Sequence, residues 1–256
     1  KWYRGVTLSD KPITAFSHIY SCLPKPLLKS ELFPEIHLSA FSYTSTWVPH
    51  GCSDKGGFEG IASEEELIVY GDKMERQARR AGYIGRVRRV GNYRRDYYKR
   101  FLRNALEPYR PKGTITLFAP SWNDETLFTA LPHLASKMGP LDHLLVKPHP
   151  NTAKLETAKL AALEARYSSD QISFLTHFPL IYPLLDWADR YVGDTSSIGY
   201  DMLSFEKAMF FLGPHAATLP IHKAGRRLEA GEYDPIFTSL LPPYAAIRSL
   251  YKEVFE

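Results

Sequence analysis

Tyr191–Gly199 reads YVGDTSSIG, with Tyr200 and Asp201 directly after it. An apolar run that stops at a glycine, followed by a cluster of short polar side chains, reads as a buried strand turning into a helix. The pattern predicts a strand over Arg190–Gly193 and a helix over Ser196–Phe205. Asp194 or Thr195 suits the N-cap, because its side-chain oxygen accepts from backbone N–H groups that a first helical turn leaves without partners. The same turn offers free N–H groups, the hydroxyls of Ser196 and Ser197 and the positive end of a helix dipole. Together these suit a phosphate. A plain helix cap that meets no ligand is the other reading of these residues.

Working outward, Thr114–Ala119 (TITLFA), His143–Lys147 (HLLVK), Gln171–Leu175 (QISFL) and Ala208–Leu212 (AMFFL) are further short apolar runs. Helical patterns fall between them at Glu125–Met138, Thr152–Tyr167 and Leu180–Ala188. This alternation is that of βαβ units, so a parallel sheet of about five strands with helices on both faces is expected. Glu107–Gly113 (EPYRPKG) has the composition of a linker. It divides the chain into an acceptor-side α/β domain, residues 1–110, and a nucleotide-binding Rossmann-like domain, residues 111–256. In the first part, strands are expected at Ile36–Phe41, Thr46–Val48 and Leu67–Tyr70, and helices at Asp72–Ala81 and Arg94–Leu106. A closing helix over Pro242–Phe255 is expected to pack back on that part. The natural assembly is two α/β halves facing each other across a cleft.

The bulk composition narrows the class. With 256 residues, 44% hydrophobic and 23% charged, the chain buries a real core and is not disordered. Cys22 and Cys52 are the only cysteines, too few for a disulfide framework or a cysteine-rich zinc site. No apolar run approaches the roughly 20 residues of a membrane span. Lys1 in place of a methionine leaves room for a preceding segment, and no signal-peptide remnant follows it. A reducing, cytoplasmic setting is expected.

Four further features bear on chemistry. In Val146–Pro150 (VKPHP) the two prolines exclude helix and continued pairing, so His149 sits on a stiff extended loop at a strand end. An imidazole there suits acid–base work near neutral pH, and Lys147 suits a phosphate as a point charge. Trp47–Gly51 (WVPHG) places His50 after a short strand, beside Gly51, which permits close backbone approach, with Lys55 following. Val90–Asp96 (VGNYRRD) turns at Gly91 into Arg94, Arg95 and Asp96. A basic cluster runs from Arg76 to Arg103 and accounts for much of the +4 net charge. A solvated face is one reading of it. An anionic membrane surface or a phosphate-rich acceptor is another, while no nucleic-acid-binding motif accompanies it.

In order along the chain, these segments resemble the CDP-glycerol glycerophosphotransferases of teichoic-acid synthesis, which have the two-domain GT-B fold. His50, Gly51 and Lys55 match the family's H-G-T-P-x-K loop. Gly91, Arg94 and Asp96 match its G-x-P-R-x-D turn. Lys147, His149 and Pro150 match K-x-H-P, and Asp194, Ser196, Ser197 and Asp201 match D-x-S-S-x-x-x-D. Phe118–Trp122 (FAPSW) looks like Y-A-P-T-W. The chain departs from the family at Cys52, Ser53 and Asp54, and at Tyr93 in place of proline.

The resemblance implies transfer of a glycerol-phosphate-like group from CDP-glycerol to an acceptor hydroxyl, lipid-linked or polymeric, in cell-surface polymer synthesis. It implies His50 as base and His149 at the reacting phosphate. Lys147, Asp194, Thr195, Ser196, Ser197 and Asp201 would sit around the nucleotide, with no cofactor and no metal. Two other readings stand beside it: a GT-B glycosyltransferase or epimerase using a nucleotide-sugar, and a non-catalytic module for anionic polymer or membrane.

Overall fold

The computed structural model describes residues 18–22, 24, 44–54, 58, 60–122, 125–178, 180–213, 218–238 and 241–256. The strand expected at Ile36–Phe41 and the candidate Lys55 lie outside these residues. The chain divides into two compact units. The first comprises the described residues of Lys1–His50, Phe58–Val69 and Glu75–Arg89, and the second Gly51–Gly57, Tyr70–Met74 and Val90–Glu256. The division near Arg89 differs from the expected one near residue 110. Glu107–Gly113 lies inside the second unit, where Glu107–Tyr109 forms a 3-10 turn.

The first unit holds a parallel sheet of β1 (His18–Ser21), β2 (Thr44–Trp47), β3 (Glu66–Val69) and β4 (Arg86–Arg89), in that spatial order. Here β2 and β3 supply the buried side chains Trp47, Leu67 and Val69. The edge strand β4, reading RVRR, is largely exposed. Its arginines do not form one open cationic face. Arg86 and Arg88 both pair with Glu66, at 3.1 and 2.8 Å. Arg89 pairs with Glu75 at 2.7 Å, and Arg79 reaches the same carboxylate at 3.4 Å. The expected basic face from Arg76 to Arg103 is therefore laced with carboxylates over much of its length.

The second unit is built on six parallel strands: β5 (Thr114–Phe118), β6 (Asp142–Val146), β7 (Ile172–Phe174), β8 (Arg190–Gly193), β9 (Ala208–Phe211) and β10 (Arg226–Arg227). Their order is β10-β9-β8-β5-β6-β7. Read from β7 this is 3-2-1-4-5-6, the doubly wound Rossmann order, whose direction reverses between β5 and β8. The sheet accounts for the apolar runs: β8 and β9 are buried at every position, because helices cover both faces. On one face Leu127, Ala130, Leu131 and Leu134 of the helix Thr126–Lys137 pack with Phe118, Val192, Phe210 and Leu212. Gly113 has to be glycine. Its φ is +94°, and a Cβ there would stand 2.2 Å from the Leu141 carbonyl oxygen.

At the amino edge of this sheet, Arg190 is buried and satisfied on three sides. It donates to Thr116 Oγ1 at 2.8 Å, to the Ile236 carbonyl at 2.5 Å and to Asp142 at 2.5 Å. Burial alone pulls its pKa down, and Asp142 opposes that. One guanidinium thus ties β8 to β5, β6 and the helix Asp234–Thr238. The expected helix over Arg94–Leu106 is instead α-helical at Tyr93–Tyr97, π-helical at Tyr98–Leu102 and α-helical again at Arg103–Leu106.

The closing helix, Tyr244–Phe255, packs within the second unit on segments from the first half of the sequence. A Cβ on Gly71 would meet the Val254 carbonyl at 2.7 Å, and Arg95 donates to the Tyr251 hydroxyl at 2.7 Å. No described helix is long and apolar enough to cross a membrane.

Candidate functional site

In a doubly wound sheet, ligands bind outside the carboxyl ends of the strands, at the point where strand order reverses. Here that point lies between β5 and β8. The loops leaving β5, β6 and β8 are FAPSW, VKPHP and GDTSS, so three expected site segments emerge side by side. Backbone bonds hold them in step: Ala119 N–H donates to the Val192 carbonyl at 2.9 Å, and Lys147 N–H to Phe118 at 2.8 Å. Neighbouring strands lie about 4.8 Å apart, so the β6 and β8 loops are about 10 Å from each other.

Asp194 is fully buried and acts on the protein's own backbone. One oxygen accepts from the N–H and the hydroxyl of Ser121, at 2.8 and 2.7 Å. The other accepts from Ser196 N–H at 2.9 Å. The carboxylate thus stitches the β5 loop to the β8 loop across the reversal point. The expected capping by Asp194 or Thr195 is replaced by a later start. The helix is the short Ile198–Met202, continued as a 3-10 turn at Leu203–Phe205, and Ser197 is its N-cap with no side-chain cap bond. A helix this short has little dipole, so hydroxyls and N–H groups must carry any anion binding. Thr195 and Ser197 are partly exposed, whereas Ser196 is buried.

Gly51 packs on this turn. A Cβ added there would stand 3.0 Å from the Ser197 hydroxyl, so any larger residue would push the two apart. Three of the four positions where the sequence departs from the motifs it resembles, Cys52, Ser53 and Asp54, lie in the loop that follows. Cys52 is buried, and burial pushes its thiol up to about 12. Asp54 pairs with Lys73 at 2.5 Å and accepts from the Tyr200 hydroxyl at 2.5 Å. Those two ionic side chains are 9% and 8% exposed. The altered loop is therefore locked to the helix that starts at Ile198. His50, the last residue of its segment in the first unit, is exposed.

Asp201 does not stand open to a ribose. It is 2% exposed. One oxygen accepts from the Tyr182 hydroxyl at 2.8 Å, and the other faces Arg94 at 3.3 Å. The Tyr182 oxygen is also 2.7 Å from Asn92 Oδ1, and Asn92 donates to Ser204 at 2.8 Å. Burial and the Asp201 carboxylate raise the Tyr182 pKa, keeping the phenol protonated. Burial works against the Arg94 charge, but Asp201 and Tyr70 outweigh it and hold its pKa up. The sequence reading found Arg94 and Asp201 but missed Asn92, Tyr182 and Tyr70, whose meaning depends on long-range contacts. Asp96, the remaining member of that turn, is exposed and pairs with Arg95 at 3.4 Å.

The β6 loop has a different character. Lys147 is half-buried, and burial lowers its pKa. Among the described residues its ammonium meets only the Pro148 carbonyl, at 3.5 Å. His149 is extended, as expected, but a helix starts directly after it at Pro150–Leu155. Pro150 occupies the first helical position, where a missing N–H costs nothing. His149 is the N-cap, and its Nδ1 accepts from Asn151 N–H at 3.1 Å. A backbone N–H can only donate, so Nδ1 holds a lone pair and the neutral ring carries its proton on Nε2. Trp122, 44% exposed, lies beside it with ring centroids 6.2 Å apart. Among the described residues, no group of three or more His, Cys, Asp or Glu is arranged to hold a metal ion.

Comparison with known proteins gives the fold a precedent. No protein-family model and no curated protein matches the sequence. Among solved structures, the wall teichoic acid polymerase TagF aligns over 93% of this chain and 68% of its own, at TM-score 0.62 and 16% identity. A His-to-Asn variant of TagF soaked with CDPG aligns over 94% and 68%, at TM-score 0.67 and 16% identity. The chain thus has an α/β, GT-B-like fold with two parallel-sheet units.

Proposed function

We propose that this chain is a nucleotide-dependent transferase. In it, a glycerol-phosphate-like group passes from a CDP-activated donor to an acceptor hydroxyl. The observation that carries the reading is the convergence of the β5, β6 and β8 loops at the reversal point of a Rossmann sheet. Lys147 there is a half-buried cation whose pKa burial lowers. A diphosphate would relieve that desolvation. The Thr195 and Ser197 hydroxyls and adjoining N–H groups would bind its oxygens, with Asp194 and Gly51 fixing their positions.

In the proposed reaction the acceptor oxygen attacks the β-phosphorus. The new O–P bond forms as the bond to the CMP oxygen breaks. His50 takes the acceptor proton. His149, with its proton on Nε2, donates a hydrogen bond to a phosphoryl oxygen or the leaving oxygen. It is not set up as a base, because protonating Nδ1 would break the cap to Asn151. Arg94 and Asp201 act at one remove by fixing the helix that starts at Ile198.

Release of CMP from CDP-glycerol, measured beside UDP release from UDP-sugars with a glycerol-phosphate-primed acceptor, tests the reading. CMP release that falls by roughly 10²–10⁴ in His149→Ala and in His50→Ala supports it. Release of UDP alone would replace it with a nucleotide-sugar transferase. Nucleotide binding without turnover of either donor would make the chain a binding module.

A further inference from the structure

The carboxyl edge of the second sheet continues past the point where strand order reverses. Backbone bonds step along it: Leu212 N–H donates to the Gly193 carbonyl at 2.7 Å, and Leu228 N–H to Phe211 at 3.0 Å. The residues that follow β9 and β10 therefore join the same rim as the GDTSS loop. They lie one and two strands further along, about 5 and 10 Å away. A cavity of about 390 Å³ lies there, between these strand ends and the first turns of the helix Thr126–Lys137. None of the site residues expected from the sequence lines it.

The lining has two chemistries. Ala130, Leu212 and Leu228 give it aliphatic surface. Its charged groups are the exposed carboxylates Glu125 and Glu229, and among the described residues no Lys, Arg or His lines it. Glu125 pairs with Lys159 outside the cavity, whereas Glu229 forms no ion pair among the described residues. Tyr233, also in the lining, is only 8% exposed. Its ring is stacked on His133, with centroids 5.2 Å apart and planes 7° from parallel. The Gly231 N–H approaches the phenol oxygen, but among the described residues the hydroxyl proton has no acceptor. A side chain buried this far ordinarily finds a partner for its polar atom, and here a bound molecule can supply one.

Phosphates and sugars ask opposite things of such a lining. Phosphate oxygens carry negative charge, so carboxylates without a cation repel them. Sugar hydroxyls donate to carboxylates and accept from a phenol, and the ring's C–H faces pack on aliphatic side chains. Size points the same way. A three-carbon triol fills roughly the volume of four waters, about 120 Å³, and a pyranose about 200 Å³, so the cavity has room for a ring. We propose that this cavity binds a neutral sugar ring, with Glu229 accepting from its hydroxyls and Tyr233 donating to it, and that it excludes phosphate. The ring's place beside a diphosphate rests on the transferase reading; the cavity's own chemistry does not. The sugar belongs to the donor or to the acceptor, which share this chemistry.

Ligand-observed NMR of the full chain with the methyl glycosides of glucose, galactose, mannose and N-acetylglucosamine tests it. At least one should bind, and the 6-phosphate of the same sugar about tenfold more weakly. Tyr233→Phe should weaken glycoside binding about fivefold and Glu229→Gln about tenfold, as expected for hydrogen bonds to a neutral and to a charged group. Glu229→Gln should also narrow the gap between the sugar and its phosphate. Both substitutions preserve size, so the variants should melt with the parent; if Tyr233→Phe melts lower, Glu229→Gln decides alone. The nucleotide-linked form of the sugar assigns the source. If it displaces the glycoside where the free nucleotide does not, the ring is the donor's; if both bind together, it is the acceptor's. A chain that binds glycoside but no nucleotide keeps the cavity and loses the transferase, and the reverse loses the cavity alone. Binding of none of the four glycosides, binding unchanged in both variants, or equal or tighter binding of the 6-phosphate would overturn the proposal.

Discussion

After β8, the carboxylates of Asp194 and Asp201 are buried and each of their oxygens meets a donor within the protein. After β6, Lys147 is half-buried and among the described residues meets only a carbonyl, at 3.5 Å, and His149 holds one nitrogen on its own backbone and its proton on the other. The carboxylates of the first loop are satisfied without a ligand, while its Thr195 and Ser197 stay partly exposed. The second carries a desolvated positive charge that an anion would relieve. Residues of both loops look like ligand contacts in the sequence. The difference teaches that a buried, satisfied acid is scaffold, and that an under-satisfied cation is a candidate for stabilising a charged substrate.

The sharpest way to break this comparison is Asp194→Ala. It leaves the N–H groups of Ser121 and Ser196 buried with no acceptor, each costing about 1–3 kcal/mol. A loss of about 3 kcal/mol or more in urea unfolding is expected. A variant as stable as the parent would mean that Asp194 is not the stitch between β5 and β8. Next comes Arg94→Met, which strands the Asp201 carboxylate. Arg94 keeps some solvent contact, so about 2 kcal/mol is expected, less than for a fully buried pair. Tyr182→Phe should cost less again, about 1 kcal/mol, since it removes one hydroxyl shared by two acceptors.

The sequence carried the second unit well and the first unit less well, for a physical reason. Strands β5, β6, β8 and β9 are buried on both faces, so their apolar runs are unbroken and bounded by turns. One edge strand of each sheet, β4 (RVRR) in the first and β10 (RR) in the second, is exposed and cationic, as edges that avoid pairing with another chain often are. They gave no apolar signal and were not predicted. At the site, the segments were legible because glycine, proline and histidine at strand ends are local signals. The roles of Asp194 and Asp201 were not, because their partners Ser121, Tyr182 and Arg94 lie 73, 19 and 107 residues away. The Asp54–Lys73–Tyr200 lock was hidden in the same way.

Lys147→Met tests the other side of the comparison. Removing a desolvated ammonium should stabilise the protein slightly, by less than about 1 kcal/mol because the group is partly solvated. The same change should weaken nucleotide diphosphate binding about tenfold in calorimetry. The pH dependence has a definite sign. A lysine whose folded pKa is lowered binds fewer protons folded than unfolded between that value and 10.5, so stability rises with pH in that alkaline window. The methionine variant should lose this rise. A variant that destabilises the protein and binds nucleotide normally would make Lys147 an ordinary packing residue.

The smallest effect separates the two nitrogens of His149. His149→Ala removes both the cap to Asn151 and the Nε2 proton, and should cost about 1 kcal/mol of stability, the usual value of a lost N-cap. His149→Asn keeps an acceptor near the position of Nδ1, because asparagine is among the best N-caps, so its stability should fall within about 0.3 kcal/mol of the parent. Neither variant can present a proton where Nε2 does, and both should lose turnover by a similar factor. Equal turnover with unequal stability would separate a structural nitrogen from a chemical one on the same ring. If asparagine instead restored activity, the cap would be all that His149 contributes. His149 would then be scaffold like the carboxylates after β8, leaving Lys147 as the residue of the β6 loop that meets the anion.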